Sequence, residues 1–376
     1  MLLHRNILKQ AIFKRNILII TFVTIFGFTG LWLLIGSKAA TGDNTLEPEN
    51  GTVSAPATTV TDANASGGKY VLFKSASQGS CAVSTPNVPD GPDPWGGCWP
   101  GPATTGYPHG LPGDTRAPVN LTSDTNCVIT TDNITLNSRK YDCDVVIQAK
   151  NVTIKNSLIN GQLYLDSDFS AANNKNWSFA LIDSEVNAPM LELPAVYEGT
   201  MTLLRANIHG GITSVQCGDK ALKCDFQESY LHGQLIQQRS LWHLGAFHSI
   251  GGSNYTITHN SVFCDQTYTY EANNDSGGCS GDIVFIPYDV NISHAIVNKN
   301  LLGANQSIAY CLYGGDKGSF AATYMSFTDN VFQRTTTNIN GQPDCGDYGA
   351  VDGFGLNNTG NVWLRNVWAT GGNVDP

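Results

Sequence analysis

Charge is what this sequence has least of. Asp, Glu, Lys and Arg make up 14% of its 376 residues, well below the roughly one quarter usual for a globular chain. Basic residues are the scarcer kind, 21 against 31 acidic ones. Residues 1–40 hold five of them (Arg5, Lys9, Lys14, Arg15, Lys38) and no acid, leaving 16 basic against 31 acidic residues beyond, a net charge of −15. Such a surface repels nucleic acid, whose binding needs clustered Lys and Arg to displace counterions, so no nucleic-acid partner is expected. It also disfavours polyanionic glycans, away from a local basic cleft or bound calcium. None of the ten cysteines stands in a C-x-x-C pair, which leaves zinc and thioredoxin-like readings little support.

The place of the missing charge is taken by Gly, Asn, Ser and Thr, which form turns and bond the backbone rather than build helices. One long apolar run is present, residues 17–36 (ILIITFVTIFGFTGLWLLIG), behind a basic flank. Twenty such residues are enough to cross a bilayer. Small residues after it, Ser37-Lys38-Ala39-Ala40, suit signal-peptidase cleavage. Residues 1–40 are therefore read as a signal peptide or an uncleaved signal anchor, with everything after residue 40 outside the cell. The expected localisation is extracellular, secreted or held by the N-terminal helix, with no other membrane contact. Ten cysteines in an exported chain then read as a disulfide framework.

Residues 41–73 read as a linker carrying a short strand-forming stub. Residues 74–126 hold nine of the 16 prolines, which argues against regular structure. They are expected to form a cap, closed by Cys81 and Cys98, over the N-terminal end of the domain that follows.

From residue 127 one phrase returns: VTIKNSLING (152–161), FALIDSEVNA (179–188), MTLLRANIHG (201–210), CDFQESYLHG (224–233), YTITHNSVFC (255–264) and HAIVNKNLLG (294–303). Looser copies are YMSFTDNVFQ (324–333) and NVWLRNVWAT (361–370). Aligning the third position gives Ile154, Leu181, Leu203, Phe226, Ile257 and Ile296. A unit near 22 residues with inserted loops is the mark of a parallel β-solenoid. Stacked coils bring equivalent apolar residues into ladders about 4.8 Å apart, and place Asn156, Asn260, Asn330 and Asn366 at turns, where Asn tolerates the left-handed conformation. Leucine-rich repeats would need denser Leu, and a β-sandwich does not explain the fixed order within each phrase. The fold class is thus all-β: a right-handed parallel β-helix over 127–376 with disulfide-closed loops, preceded by one N-terminal membrane or signal helix.

Cys127-Val-Ile-Thr-Thr, Cys143-Asp-Val-Val-Ile, NVTIKNSLING, Tyr230-Leu-His232-Gly, Trp242-His243, Gly277-Gly-Cys279-Ser, Asn330-Val-Phe-Gln-Arg334 and Asn361-Val-Trp363 together resemble secreted bacterial right-handed β-helix proteins of the pectate-lyase-like fold. The likeness covers about two-thirds of the chain and implies an extracellular protein that meets polysaccharide or glycoconjugate, without naming a reaction. Leu46-Glu-Pro-Glu-Asn-Gly-Thr52 and Ala65-Ser-Gly-Gly-Lys-Tyr-Val71 resemble the opening strands of jelly-roll carbohydrate-binding modules. Stacked coils favour cysteine pairing between sequence neighbours: Cys81–Cys98, Cys127–Cys143, Cys217–Cys224, Cys264–Cys279 and Cys311–Cys345.

His209 and His232 hold the same place in consecutive phrases and are expected to stack one coil apart. They read either as a general base tuned by mutual repulsion or as a polar ladder continuing Asn160 and Asn187. His243, beside Trp242, is the third catalytic candidate, placed in a groove near His232. The acidic loop Asp265, Glu271, Asp275 and Asp282 reads as solvated, or as a site for calcium; no motif requires any other cofactor. Lyases of the resembling fold use a basic residue, for which Arg205, Lys299, Arg334 and Arg365 are candidates. Glycosidases of that fold cluster aspartates, and Asp282 with Asp265 or Asp289 is the best pairing here. Trp242, Tyr268, Tyr270, Tyr288, Tyr310, Tyr313 and Tyr348 are the rings expected to stack on sugars, with Arg205 and Arg334 as polar partners. A carbohydrate-binding protein, a lyase or hydrolase and a protein adhesin remain the three functional readings, with the protein a monomer.

Overall fold

The computed structural model describes residues 57–61, 69–73, 81–166, 176–218, 221–238, 240–266, 277–305, 307–334 and 338–376. The expected membrane or signal helix of residues 17–36 lies outside them. The chain divides into two compact units, residues 1–74 and 75–376. In the first, Ala57–Thr61 and Lys69–Phe73 form an antiparallel pair with Thr59 opposite Val71.

The second unit is a parallel β-helix of three sheets. A typical coil runs through Val152–Lys155 in sheet A, Leu158–Asn160 in sheet B and Leu163–Leu165 in sheet C. Sheet A has nine strands from Thr135–Asn137 to Val362–Leu364, and sheet B ten from Thr122–Ser123 to Val367–Trp368. Sheet C has nine, from Val128–Ile129 to Gly349–Asp352. The solenoid thus begins at Thr122, a few residues before the boundary expected at 127.

The apolar ladder of sheet A is Leu136, Ile154, Leu181, Leu203, Phe226, Ile257, Val297 and Phe327, all buried. Each such side chain withdrawn from water stabilises the fold by about 1.5–3 kcal/mol. Ile296 does not belong to this ladder; it is 52% exposed, and Val297 takes the rung. The slip has a local cause. Asn254, His294 and Tyr324 hold the same left-handed position ahead of the strand core (φ 64°, 56° and 55°), in register from coil to coil, so a phrase begun at His294 instead of Ala295 runs one residue early.

The bend from sheet A to sheet B repeats a two-residue device. Asn156, Asp183, Arg205, Glu228, His259, Lys299, Asp329 and Arg365 all have φ between 44° and 57°, a conformation that costs a non-glycine residue roughly 1–2 kcal/mol. The next residue turns inward and, in each of these coils but that of Ala206, offsets the bend with side-chain hydrogen bonds. Asn260 Nδ2 donates to Phe226 O (3.0 Å) and to Asn300 Oδ1 (2.9 Å). Asn300 does the same to Ile257 O and Asn330, and Asn330 to Val297 O and Asn366. Ser157, Ser184 and Ser229 continue this file toward the first coils. So Asn156 sits at the left-handed turn as expected, whereas Asn260, Asn330 and Asn366 are fully buried one residue later.

All five disulfides join sequence neighbours as expected: Cys81–Cys98, Cys127–Cys143, Cys217–Cys224, Cys264–Cys279 and Cys311–Cys345.

The proline-rich segment is a lateral strap, not an end cap. Asn87 Nδ2 donates to Ala369 O, and Gln333 Nε2 donates to Asn87 O. Trp99 is fully buried against Leu301 and Val331. Gly106 N donates to Arg205 O, and Arg116 Nη1 reaches Asp183 Oδ1 at 3.2 Å. The strap therefore descends the outside of sheet B from the last coils to the first, where it becomes the opening strand. Gly106 is obligatory in this path: its φ is +71°, and a Cβ there would lie 3.1 Å from that of Asn207. Proline explains the change from expectation, because a chain without regular hydrogen bonding suits an outer face already complete in its own ladder.

Candidate functional site

Strand alternation aims one residue of each sheet C strand outward. In register these are Tyr164, Tyr197, Gln216, His248, Val284, Tyr313 and Asp352. The rings of Tyr164 and Tyr197 stack at 4.7 Å and 14°. Farther along, Tyr310 lies 5.4 Å from Tyr313 and 5.8 Å from Tyr348. Lys317 Nζ sits over the Tyr313 ring at 4.8 Å while pairing with Asp352 at 2.8 Å. Tyr288 and Tyr348 are exposed, whereas Tyr313 is buried. Burial, then the Asp352 carboxylate, raises the Tyr310 phenol above its usual value, so its hydroxyl stays a protonated donor.

Between the two tyrosine groups lies a groove of about 290 Å³ lined by Glu192, Tyr197, Glu198, Gln216, His243 and His248. His243 is exposed, with Nδ1 3.4 Å from Ser280 Oγ. Burial, with a smaller contribution from His243, lowers His248 to about 4, so its imidazole is neutral at physiological pH. His248 Nε2 is buried without a hydrogen-bond partner. It packs on Gly245, where a Cβ would come within 2.2 Å of it. That fit explains a glycine at position 245.

His209 and His232 are on a different face, the outer side of sheet B. They stack as expected, ring centroids 5.3 Å apart, and Asn187 pairs with His209 in register below them. His209 Nε2 meets Glu185 Oε1 at 2.9 Å, and His232 Nε2 meets Asn207 Oδ1 at 2.9 Å. Tyr230 stacks on His232 at 3.9 Å. Burial, and then His209, lowers His232 to about 3. The pair continues the file of Asp142, Asn160 and Asn187, and His243 belongs instead to the sheet C groove.

Arg205 is held by a two-point contact to Asp183 (2.6 and 2.7 Å), and Arg334 lies 4.0 Å over the Trp368 ring. Lys299 rests over Trp95, and Arg365 is bound to Asp329. None of these cations joins the histidines. Trp242 is half-buried against the core rather than presented to solvent. Tyr268, Tyr270, Glu271 and Asp275 lie outside the described residues.

Asp265 accepts a hydrogen bond from Gly233 N. Asp282 is fully buried, and its Oδ1 accepts from Cys264 N at 2.7 Å. Burial, reinforced by Asp265, pushes its carboxyl well above the usual range. Asp282 approaches Cys311 and Cys345, but those sulfurs are joined to each other.

No family model, curated protein or solved structure matches this chain.

The sheet C site was largely missed in sequence. Tyr164 and Tyr197 fall in the third strand of their coils, beyond the two apolar steps that make up the repeated phrase. Aligning Leu163-Tyr164-Leu165 with Val196-Tyr197 would have found them. Glu192 and Glu198 stand in the connection between two phrases, where no periodicity marks them.

Proposed function

We propose that the protein is an extracellular polysaccharide-binding β-helix that holds a glycan chain along the outer column of sheet C. The observation that carries this reading is the pair of tyrosine groups flanking the groove on one face. The rungs of Tyr197 and Tyr313 are four apart, about 19 Å at the usual inter-strand spacing, and beside the buried Tyr313 the half-buried Tyr310 and the exposed Tyr348 present the second group of rings. Flat rings at such intervals suit an extended chain whose sugar units offer apolar faces and wet rims. The resemblance to pectate-lyase-like β-helix proteins supports the same class of ligand, and five disulfides fit an oxidising, extracellular setting. The acidic surface favours neutral glycans over polyuronates, and no cofactor enters this reading.

A second reading has one observation in its favour: Glu192 and Glu198 line the same groove, and glycoside hydrolysis needs a pair of carboxyl groups. Array binding by the full chain, followed by reducing-sugar assays on each bound glycan, separates the two. Binding without product supports the lectin-like role. Product that disappears in Glu198→Gln moves the assignment to a hydrolase, and no binding to any glycan overturns both.

A further inference from the structure

We infer that Asp282 is the internal proton acceptor for closing the Cys311–Cys345 disulfide. Asp282 lies in Gly278–Phe285 and Cys311 in the neighbouring strand Tyr310–Gly314, with Ile283 opposite Leu312. The two residues therefore occupy adjacent rungs, and both are fully buried. A carboxylate oxygen of Asp282 and the sulfurs of Cys311 and Cys345 all lie within 4.8 Å of one another. Among the described residues no other disulfide has an acidic or histidine side chain that close to both sulfurs.

The carboxyl group is poorly explained by the oxidised protein alone. Oδ1 accepts from Cys264 N, but Oδ2 is buried without a partner. The one charged group that reaches it is Asp265, which repels it. An unpaired buried oxygen costs free energy unless something bonds it. In the reduced protein two thiols stand within 4.8 Å of an Asp282 oxygen, so a small side-chain rotation brings a donor to it.

Disulfide exchange needs a thiolate, and apolar surroundings raise a thiol's pKa. A carboxylate whose pKa is raised by burial is a stronger base than an ordinary one and takes that proton more readily. Cys345 stands in a stretch without strand structure, 338–348, so reduction frees it while the sheet keeps Cys311 beside Asp282. The Cys311 proton passes to Asp282 Oδ2, and the thiolate attacks one sulfur of a small-molecule disulfide. A mixed disulfide forms, and one small thiolate leaves and takes up that proton. Cys345 then gives its proton to the same carboxylate and attacks Cys311 Sγ, expelling the second small thiolate, which is protonated in turn. Two protein thiols and one small disulfide become one protein disulfide and two small thiols.

The test uses the full chain, reduced under native conditions and reoxidised with oxidised glutathione at pH 7, with each pair followed by mass spectrometry. Asp282→Asn should slow Cys311–Cys345 closure about tenfold or more and leave Cys127–Cys143 unchanged. Equal slowing of both pairs, or of neither, overturns the proposal. Should Asp282→Asn not fold, alkylation of Cys311 in the reduced wild-type chain across pH 4–9 decides. An inflection below the ordinary thiol range is expected, and a single inflection at the ordinary thiol position overturns the assignment.

Discussion

Nε2 of His259 lies 3.0 Å from Oδ2 of Asp93, a residue 166 positions earlier in the chain. The same imidazole meets Glu228 through Nδ1 at 2.8 Å and stacks on Trp99 at 5.3 Å. One histidine at a left-handed bend thus joins the solenoid's own charge file to the strap that crosses it.

Burial opposes the charged form of His259, but hydrogen bonds and charge from Asp93 and Glu228 outweigh it and raise the imidazole to about 9. A group raised in the folded state stabilises fully below its unfolded value of about 6.5, and that stability is lost as pH rises through about 9. The difference amounts to about 3 kcal/mol. Protease cutting of the strap should therefore accelerate between pH 7 and pH 10. His259→Gln should cut readily at pH 7 and show no further rise; equal pH dependence in both proteins would contradict this.

Asn300 bridges two neighbouring asparagines, accepting from Asn260 and donating to Asn330 and to Ile257 O. Removing its amide leaves several buried polar groups without partners, each costing about 1–3 kcal/mol. Asn300→Ala should lower unfolding free energy by about 3–5 kcal/mol in urea titration. A loss no larger than that of an exposed Asn357→Ala control would show that the ladder is idle.

Two faces carry aromatic and histidine residues, and glycan binding should distinguish them. Tyr197→Ala and Tyr310→Ala should each weaken binding by about 0.5–1.5 kcal/mol, or 2–10-fold. His232→Ala, on sheet B, should leave affinity unchanged. Isothermal titration with an array-positive oligosaccharide reads all three, and the reverse ranking would move the site to sheet B.

Asp282 sets a second pH dependence of opposite chemistry but similar form. Its folded carboxyl stands well above 3.8, so its contribution is fully present below pH 4 and is lost as pH rises through the folded value. Asp282→Asn should be more stable than wild type at pH 8 and no more stable at pH 4. Parallel melting curves at both pH values would remove the buried carboxyl from the account.

Much of the architecture was legible because it is written in residue order. The alternation of Val152 to Ile154 or Phe179 to Leu181 repeats in every coil, and coil stacking makes nearest cysteines meet. Ile296 misled because alternation is symmetric: beginning the phrase at the left-handed His294, whose equivalent Asn254 lies ahead of the phrase in the previous coil, exchanges inside for outside without changing its look. The strap was misplaced because prolines mark where regular structure ends, not what the chain then touches. Its partners Ala369 and Gln333 lie 282 and 246 residues away from Asn87. The site was illegible for a third reason: His209 and His232 are conspicuous in sequence yet complete their own ladder, whereas the groove gathers Glu192, Gln216 and His248 from segments with no shared pattern.

The strap also decides how the solenoid bears load. Since it runs back along the coils, Asn87 enters beside Ala369, so the chain's inlet and outlet share one end. Tension between those two points does not stretch the stack along its axis. It pulls the last coil and the strap apart, one hydrogen bond after another, while coils near Thr122 carry none of it. A tether joined ahead of Asn87 would leave that far end as the free tip.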